Sequence, residues 1–219
     1  MAVGRNTVIE KIYTYLRDDI TSGKFRPGEH LPENALCKGY RVSRATMREV
    51  IGRLATQGFL TVERNRGATV TKLSPEDVGI IYAILVRCES FATGLFTRKG
   101  NPRVIKKLEL LHMRMQRKDV QSSYKNWIQL NDDFHGLIHK NCGSSILDEL
   151  IHHTRLRIYR FRIFETHIRP VDLYNKQHGL LIRAIRDGDA IAAEKIMANH
   201  LESARKHGIE VLTEIGQLL

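Results

Sequence analysis

The chain has 219 residues and is strongly basic, with 35 lysines and arginines, 24 acidic residues and a formal net charge of +11. The length predicts two domains of ordinary size, and the basicity suits a polyanionic partner, whether DNA, RNA or a membrane surface. Three scattered cysteines exclude a disulfide framework. No apolar run is expected to span a membrane and the first residues lack a signal-peptide core, so we expect a cytoplasmic protein.

Three helices are predicted in the first third of the chain. Apolar residues spaced by four predict a helix over residues 7–22, and a short helix over residues 33–39 follows a Pro-Gly turn. A third helix begins after Ser43, whose hydroxyl suits an N-cap. The core-facing side of this helix carries Met47, Val50, Ile51 and Leu54. The last two helices, joined by a short turn, have the plan of a helix-turn-helix whose final helix is the recognition helix.

The other side of the recognition helix combines small residues with guanidinium groups, so it can approach DNA closely. Strand-forming runs over residues 59–62 and 68–71 flank a turn with two arginines and predict a wing. A single arginine is usually a solvated surface charge, but these arginines occur together with the helix and wing patterns. The candidate DNA contacts are Arg41, Ser43, Arg44, Thr46, Arg48, Arg53, Arg66 and Gly67.

Beyond a Ser-Pro boundary, every predicted element is a helix. We expect a DNA-binding domain over residues 1–73 and a helical domain over residues 74–219. The predicted helices of the second domain cover residues 75–99, 102–119, 121–141, 144–168, 170–187 and 189–214. The predicted fold is therefore mainly α: an N-terminal winged helix-turn-helix followed by an all-α antiparallel helical bundle.

Nine of the ten histidines lie in the second domain. His135, His178 and His200 each occupy a different predicted helix and point an imidazole towards the bundle interior. Asn131 and Asp132 precede His135 by four and three residues, so either one can share its helix face. Imidazoles with one amide or carboxylate oxygen suit a divalent transition metal such as zinc, nickel or manganese. The alternative is a set of hydrogen-bonded core histidines.

Many residue types recur at fixed spacings across the first domain. They are Gly23, Pro27, Gly28, Glu29, Leu31, Pro32, Glu33, Val42, Ser43, Arg44, Arg48, Glu49, Arg53, Leu54, Gly58, Phe59, Asn65, Arg66, Gly67 and Val70. This combination resembles the GntR family of bacterial transcription regulators. The second domain resembles that of the FadR subfamily, an FCD-type domain that binds an effector and pairs two subunits.

The resemblance implies a set of ligands and partners. The subfamily's metal-binding pattern, an Asp or Asn with three histidines, falls on Asn131, His135, His178 and His200. A homodimer would bind a pseudo-palindromic operator in double-stranded DNA, and a small organic acid would act as effector. From the residues themselves, the candidate effector contacts are Arg87, Arg155 and His167. We expect a ligand-responsive repressor, and the alternative left open by the sequence is an activator.

Two other classes of protein share part of this pattern. A metal-dependent hydrolytic enzyme also gathers histidines and acids around a cavity, but the chain has no HExxH, no GxSxG and no phosphate loop. A non-specific architectural DNA-binding protein would need no effector, so a response to a small molecule separates it from a regulator. The sequence therefore predicts a regulator and not an enzyme.

Overall fold

The computed structural model describes residues 2–63, 67–72, 74–159 and 170–218. Among these, one compact unit contains residues up to 74 together with 156–159, and a second contains residues 75–155 and 170–218. The division of the chain into two domains that meet at residue 73 stays a prediction.

The first unit is a winged helix-turn-helix, as predicted. Its elements are α1 (Ala2–Thr21), β1 (His30–Leu31), α2 (Glu33–Tyr40), α3 (Arg44–Thr56), β2 (Leu60–Glu63) and β3 (Gly67–Val70). The strands form an antiparallel sheet in the order β1-β3-β2, with Leu60 opposite Val70 and His30 opposite Thr69. The sequence did not predict β1, because two residues before a proline are too short to show an alternating pattern.

The core of this unit lies between the helices and one side of the sheet. All four residues of the predicted apolar stripe of α3 are buried, and Leu16, Phe59 and Val70 are buried with them. Burying such side chains contributes about 1.5 to 3 kcal/mol each, which fixes the rotation of α3 about its axis. The polar side of α3 is thereby left outside the core.

The second unit is helical throughout its described residues. Its helices are α4 (Pro75–Lys99), α5 (Pro102–Met115), α6 (Lys118–Gln121), α7 (Tyr124–Lys140), α8 (Ser145–Tyr159), α9 (Val171–Arg186) and α10 (Ala190–Leu218), except that residues 156–159 at the end of α8 belong to the first unit. The predicted helix over residues 102–119 ends at Met115, and α6 forms a separate turn. The predicted helix over residues 144–168 is described only as far as Tyr159.

Helices α4 and α10 pack in opposite directions along their lengths. Near the end of α4, Arg98 Nη2 lies 3.0 Å from Oε1 of Glu194, close to the start of α10. Near the start of α4, Gly79 lies beside Ile209 in the second half of α10. The two helices are therefore antiparallel neighbours in the bundle.

Helix α4 is long and apolar enough, by length and composition alone, to cross a membrane. This does not contradict the expectation that no apolar run spans a membrane. Core helices of bundles have the same composition, and α4 buries Val78, Leu85 and Phe96. It also buries the carboxylate of Glu89, which bonds to side chains of two other helices. We therefore describe α4 as a core helix of the bundle.

Candidate metal centre and nucleic-acid interface

The start of α3 has the geometry of a capped recognition helix. Ser43 Oγ accepts a hydrogen bond from the backbone N–H of Thr46 at 3.2 Å, which confirms the predicted N-cap. Arg44, Arg48 and Gly52 are exposed on the side of the helix away from the core. A methyl group added at Gly52 would meet nothing within 4 Å. This surface is open to a flat or grooved partner.

Two arginines of α3 have different surroundings. The Nε of Arg48 lies 2.9 and 3.1 Å from the two carboxylate oxygens of Glu33 at the start of α2. Those contacts use Nε and not the two terminal nitrogens of the guanidinium. Arg53, by contrast, donates from Nη1 to Glu10 on α1 at 2.7 Å, and its guanidinium lies 4.6 Å from the ring centroid of Tyr13. The structure thus directs Arg53 towards α1.

The remaining predicted DNA contacts lie in the turn and the wing. Arg41 is exposed and forms the C-cap of α2 in the left-handed conformation, with φ of 55°. Gly67 begins β3 with φ of 91°, a conformation that favours glycine. Arg66 lies outside the described residues.

Three buried histidines meet inside the helical unit. His135 on α7, His178 on α9 and His200 on α10 each offer a ring nitrogen, and these nitrogens lie within 4.8 Å of one another. The ring centroid of His178 is 4.6 Å from that of His200 and 5.5 Å from that of His135. Asn131 is also buried, one helical turn before His135 on α7. The predicted convergence of the three imidazoles is present in the structure.

The imidazole of His178 is fully buried, and neither ring nitrogen has a hydrogen-bond partner among the described residues. Burial lowers the pKa of His178 well below its usual value, and the neighbouring His200 and His135 lower that pKa further. A neutral imidazole has one lone pair available for a metal. A buried polar group without a partner costs about 1 to 3 kcal/mol, and a ligand would remove that cost. The residues therefore fit a transition metal.

A buried carboxylate, which the sequence analysis missed, adjoins the histidine cluster. Glu89 Oε2 accepts from Nδ1 of His135 at 3.0 Å, and Arg155 on α8 donates to both carboxylate oxygens at 2.8 and 2.6 Å. Burial would raise the pKa of Glu89, but the charge of Arg155 and the bond from His135 hold it well below its usual range. The only signal in the sequence was a single acid on the apolar side of a helix.

The three predicted effector contacts lie in different surroundings or outside the described residues. Arg155 reaches the histidine cluster through Glu89, and its Nη1 lies 3.7 Å from the carboxylate of Asp132. Arg87 is exposed on α4 and donates to the backbone oxygen of Ala83 in its own helix. The structure does not bring Arg87 to the cluster. His167 lies outside the described residues.

A winged helix-turn-helix linked to a helical domain with a buried histidine cluster defines a class of DNA-binding regulators. Residues 3–70 match the family model of bacterial regulatory proteins of the gntR family, and residues 81–203 match that of the FCD domain. The chain belongs to the GntR family and carries an FCD domain, which confirms that prediction.

Comparisons with individual proteins are consistent with this family assignment. The chain is 27% identical over 220 residues to the HTH-type transcriptional regulator BphR of Paraburkholderia xenovorans, covering 97% of this chain and 88% of that protein. It is 26% identical over 200 residues to the HTH-type transcriptional repressor RspR of Escherichia coli, covering 89% of this chain and 86% of that repressor. The solved structure of E. coli McbR/YncC has the same fold, with a TM-score of 0.77, 20% identity and coverage of 94% and 97% of the two chains.

The protein is thus a DNA-binding transcription regulator. The similar curated proteins are transcription regulators and not enzymes, so the expectation of a non-enzymatic protein is confirmed and the hydrolase alternative is wrong.

Proposed function

We propose that the protein is a repressor of the FadR type whose operator affinity is controlled by a small organic acid bound beside a divalent transition metal in the FCD domain. The observation that carries this proposal is the buried imidazole of His178, which has no hydrogen-bond partner among the described residues and adjoins two other imidazoles. Core histidines in a purely structural role are normally hydrogen-bonded, so a structural reading leaves His178 unexplained.

His135, His178 and His200 would hold the metal, with the amide oxygen of Asn131 as a fourth ligand. The donor set suits zinc, nickel or manganese. When bound, the metal supplies coordination positions for the carboxylate of an organic acid. Because all four side chains are neutral, the loaded site carries a net positive charge that favours an anion. Arg155 adds a guanidinium nearby, although its bonds to Glu89 must be kept or exchanged when an acid enters.

DNA recognition would use the exposed side of α3 and the wing of two subunits. Two recognition helices in successive major grooves read a pseudo-palindromic operator, with Arg44 and Arg48 as candidate contacts. The effector would change operator affinity only if it binds differently to the DNA-competent and DNA-incompetent arrangements. This regulation would take place in the cytoplasm.

An apolar stripe on α4 supports a homodimer. Ile80, Ile84 and Phe91 share one face of the helix and are 54%, 41% and 53% exposed. Arg87 lies in the middle of this stripe and is also exposed. Contiguous apolar residues on a surface mark a protein interface more often than isolated ones do. We assign this stripe to contact with a second copy of the chain.

The first test is the metal content of the purified protein by elemental mass spectrometry. The wild type should contain nearly one equivalent of metal per chain, and a variant with His135, His178 and His200 all changed to Ala should contain almost none. A variant with the exposed pair His152 and His153 changed to Ala is the matched control and should keep its metal. Wild-type protein that neither contains nor takes up zinc, nickel or manganese would contradict the metal site.

The second test is the response of DNA binding to small acids. A duplex selected from a random pool by the wild-type protein serves as operator, and a panel of mono- and dicarboxylates is titrated against the complex. At least one acid should change the affinity of the wild type and leave that of the triple-alanine variant unchanged. If no sequence is enriched and no acid has an effect, the protein is a non-specific DNA-binding protein.

A further inference from the structure

The three histidines of the cluster differ in the partner of the second ring nitrogen. Nδ1 of His135 lies 3.0 Å from a carboxylate oxygen of Glu89, and Nδ1 of His200 lies 2.9 Å from the side-chain oxygen of Gln177. Ionised carboxylates and amide oxygens only accept hydrogen bonds, so each of these Nδ1 atoms carries the proton. Nε2 is then the nitrogen with the lone pair in both rings.

Glu89 is itself held firmly in place. Its side chain is 3% exposed, and Arg155 donates to Oε1 from Nε and to Oε2 from Nη2. Arginine cannot act as an acceptor and does not lose its proton, so the pair keeps the carboxylate ionised and fixes its plane. The carboxylate on α4 therefore bonds to α8 and α7 at the same time.

A purely structural ion pair would not need the imidazole. The two bonds from Arg155 already use both carboxylate oxygens of Glu89. The third bond, from Nδ1 of His135, orients the imidazole ring and leaves Nε2 as its other nitrogen. Histidine ligands of metals usually donate their other N–H to such an outer carboxylate, which fixes the tautomer and makes the ligating nitrogen more basic. Glu89 has the chemistry and the position for this role.

We propose that Glu89 is a positioning residue of the metal centre, and that Arg155 holds it there. Glu89 would fix His135 in the tautomer with the proton on Nδ1 and direct Nε2 towards the other two imidazoles. This inference rests on the proposed metal site. It also assigns Arg155 a role in the resting protein, in addition to any contact with an acid.

The test compares zinc affinity of full-length wild type and Glu89→Gln by competition with a chromophoric chelator. The variant keeps the shape of the side chain but loses its charge, and its zinc affinity should fall about 10- to 100-fold. Glu194→Gln is the matched control, because it removes the carboxylate partner of Arg98, another residue of α4, and changes no partner of an imidazole. The zinc affinity of this variant should equal that of the wild type. A wild type without zinc affinity would contradict the proposed function, whereas equal affinity in wild type and Glu89→Gln would overturn only the role of Glu89.

A second measurement does not depend on the folding of the variant. Nitrogen-15 NMR of the metal-free wild type, with histidine labelled, shows which ring nitrogen carries the proton. His135 should appear as the tautomer protonated at Nδ1. A proton on Nε2 would overturn the inference, because that nitrogen could not then bind a metal without first exchanging its tautomer.

Discussion

Arginines of the same charge have different surroundings in this protein. Arg155 is buried and bonded to Glu89, Arg53 donates to Glu10 beside an aromatic ring, and Arg48 is 69% exposed with its terminal nitrogens outside its ion pair. A solvent-exposed ion pair such as that of Arg48 contributes little to stability, so DNA can replace it at little cost. The environment of each guanidinium therefore separates the candidates for base contact.

The first prediction concerns Arg48→Ala. If Arg48 makes a bidentate contact with a base, the variant should lose about 1 to 3 kcal/mol of operator binding and its preference at that base pair. Arg53→Ala is the control on the same helix and should bind with nearly wild-type affinity, because the structure directs Arg53 to α1. Fluorescence anisotropy with the selected duplex measures both. Equal losses in the two variants would contradict this distinction.

The second prediction concerns His139, which donates from Nδ1 to Asp148. The pKa of His139 lies below its usual value of 6.5, chiefly because the ring is buried. The bond to Asp148 opposes this effect, the charge of Arg155 lowers the pKa further, and the charge of Glu89 raises it. His139 therefore takes up a proton less readily in the folded state than in the unfolded state. Its contribution to the free energy of unfolding is complete above about pH 6.5 and falls as the pH drops below that value.

Urea unfolding of chelator-treated protein at about pH 7.5 and about pH 5.5 measures this effect. His139→Gln should lose less stability between the two pH values than the wild type. Asp148→Asn should lose more, since it removes a group that raises the pKa of His139. If both variants show the wild-type pH dependence, His139 does not contribute to it.

At the scale of elements, local patterns predicted most of the fold. The apolar stripe and N-cap of α3 depend on residues a few positions apart, so the sequence contains them directly. The short strand β1 depends on pairing of His30 with Thr69, far along the chain, and no local pattern marks it. The break between α5 and α6 was also missed, because the apolar spacing continues across it while the backbone turns.

The turn of the helix-turn-helix gives the third prediction. Arg41 adopts φ of 55°, a conformation that costs a non-glycine residue on the order of 1 kcal/mol. Arg41→Gly should therefore be more stable than Arg41→Ala by on the order of 1 kcal/mol, as measured by urea unfolding. Both variants lack the guanidinium, so both should show the same loss of operator affinity if Arg41 contacts DNA. A stability difference near zero would mean that the turn carries no strain.

At the scale of the whole molecule, the sequence predicted the histidines of the cluster but not the residues that surround them. His135, His178 and His200 share helical periodicity with apolar neighbours, and this periodicity indicates their inward direction. The contact of Glu89 with Arg155 spans 66 positions in sequence and depends on how α4 packs against α8. Tertiary packing decides such contacts, and one sequence does not encode them in a readable pattern.

The fourth prediction concerns assembly through α4. Ile84→Glu places a charge in the centre of the exposed apolar stripe and should weaken self-association at least tenfold, because the cost of desolvating a carboxylate exceeds its attraction to nearby Arg87. Ile146→Glu is the matched control on α8, where the isoleucine is 80% exposed, and should not change self-association. Sedimentation velocity over a range of concentrations measures both. A dimer that tolerates Ile84→Glu would exclude this stripe as its interface.

The last prediction concerns whether His178 is a metal ligand or an ordinary core residue. The two roles give different orders of stability for the wild type, His178→Leu and His135→Leu. In metal-free protein, His178 is a buried polar side chain without a hydrogen-bond partner among the described residues, and it lies against the rings of Phe134 and Trp127. His178→Leu should then be as stable as the wild type or more so, because leucine has no polar group to desolvate. His135→Leu should be less stable, since it removes a partner of buried Glu89.

Zinc should reverse this order. At about 100 times its dissociation constant, a ligand that binds only the folded state adds about 2.7 kcal/mol, or roughly 5 to 10 °C in melting temperature for a protein of this size. The wild type should gain this stability, and His178→Leu should gain far less. If His178→Leu is instead destabilised by several kcal/mol without metal and zinc does not stabilise the wild type, His178 is a packing residue. Because packing and ligation predict opposite orders in metal-free protein, calorimetry with and without zinc decides between them.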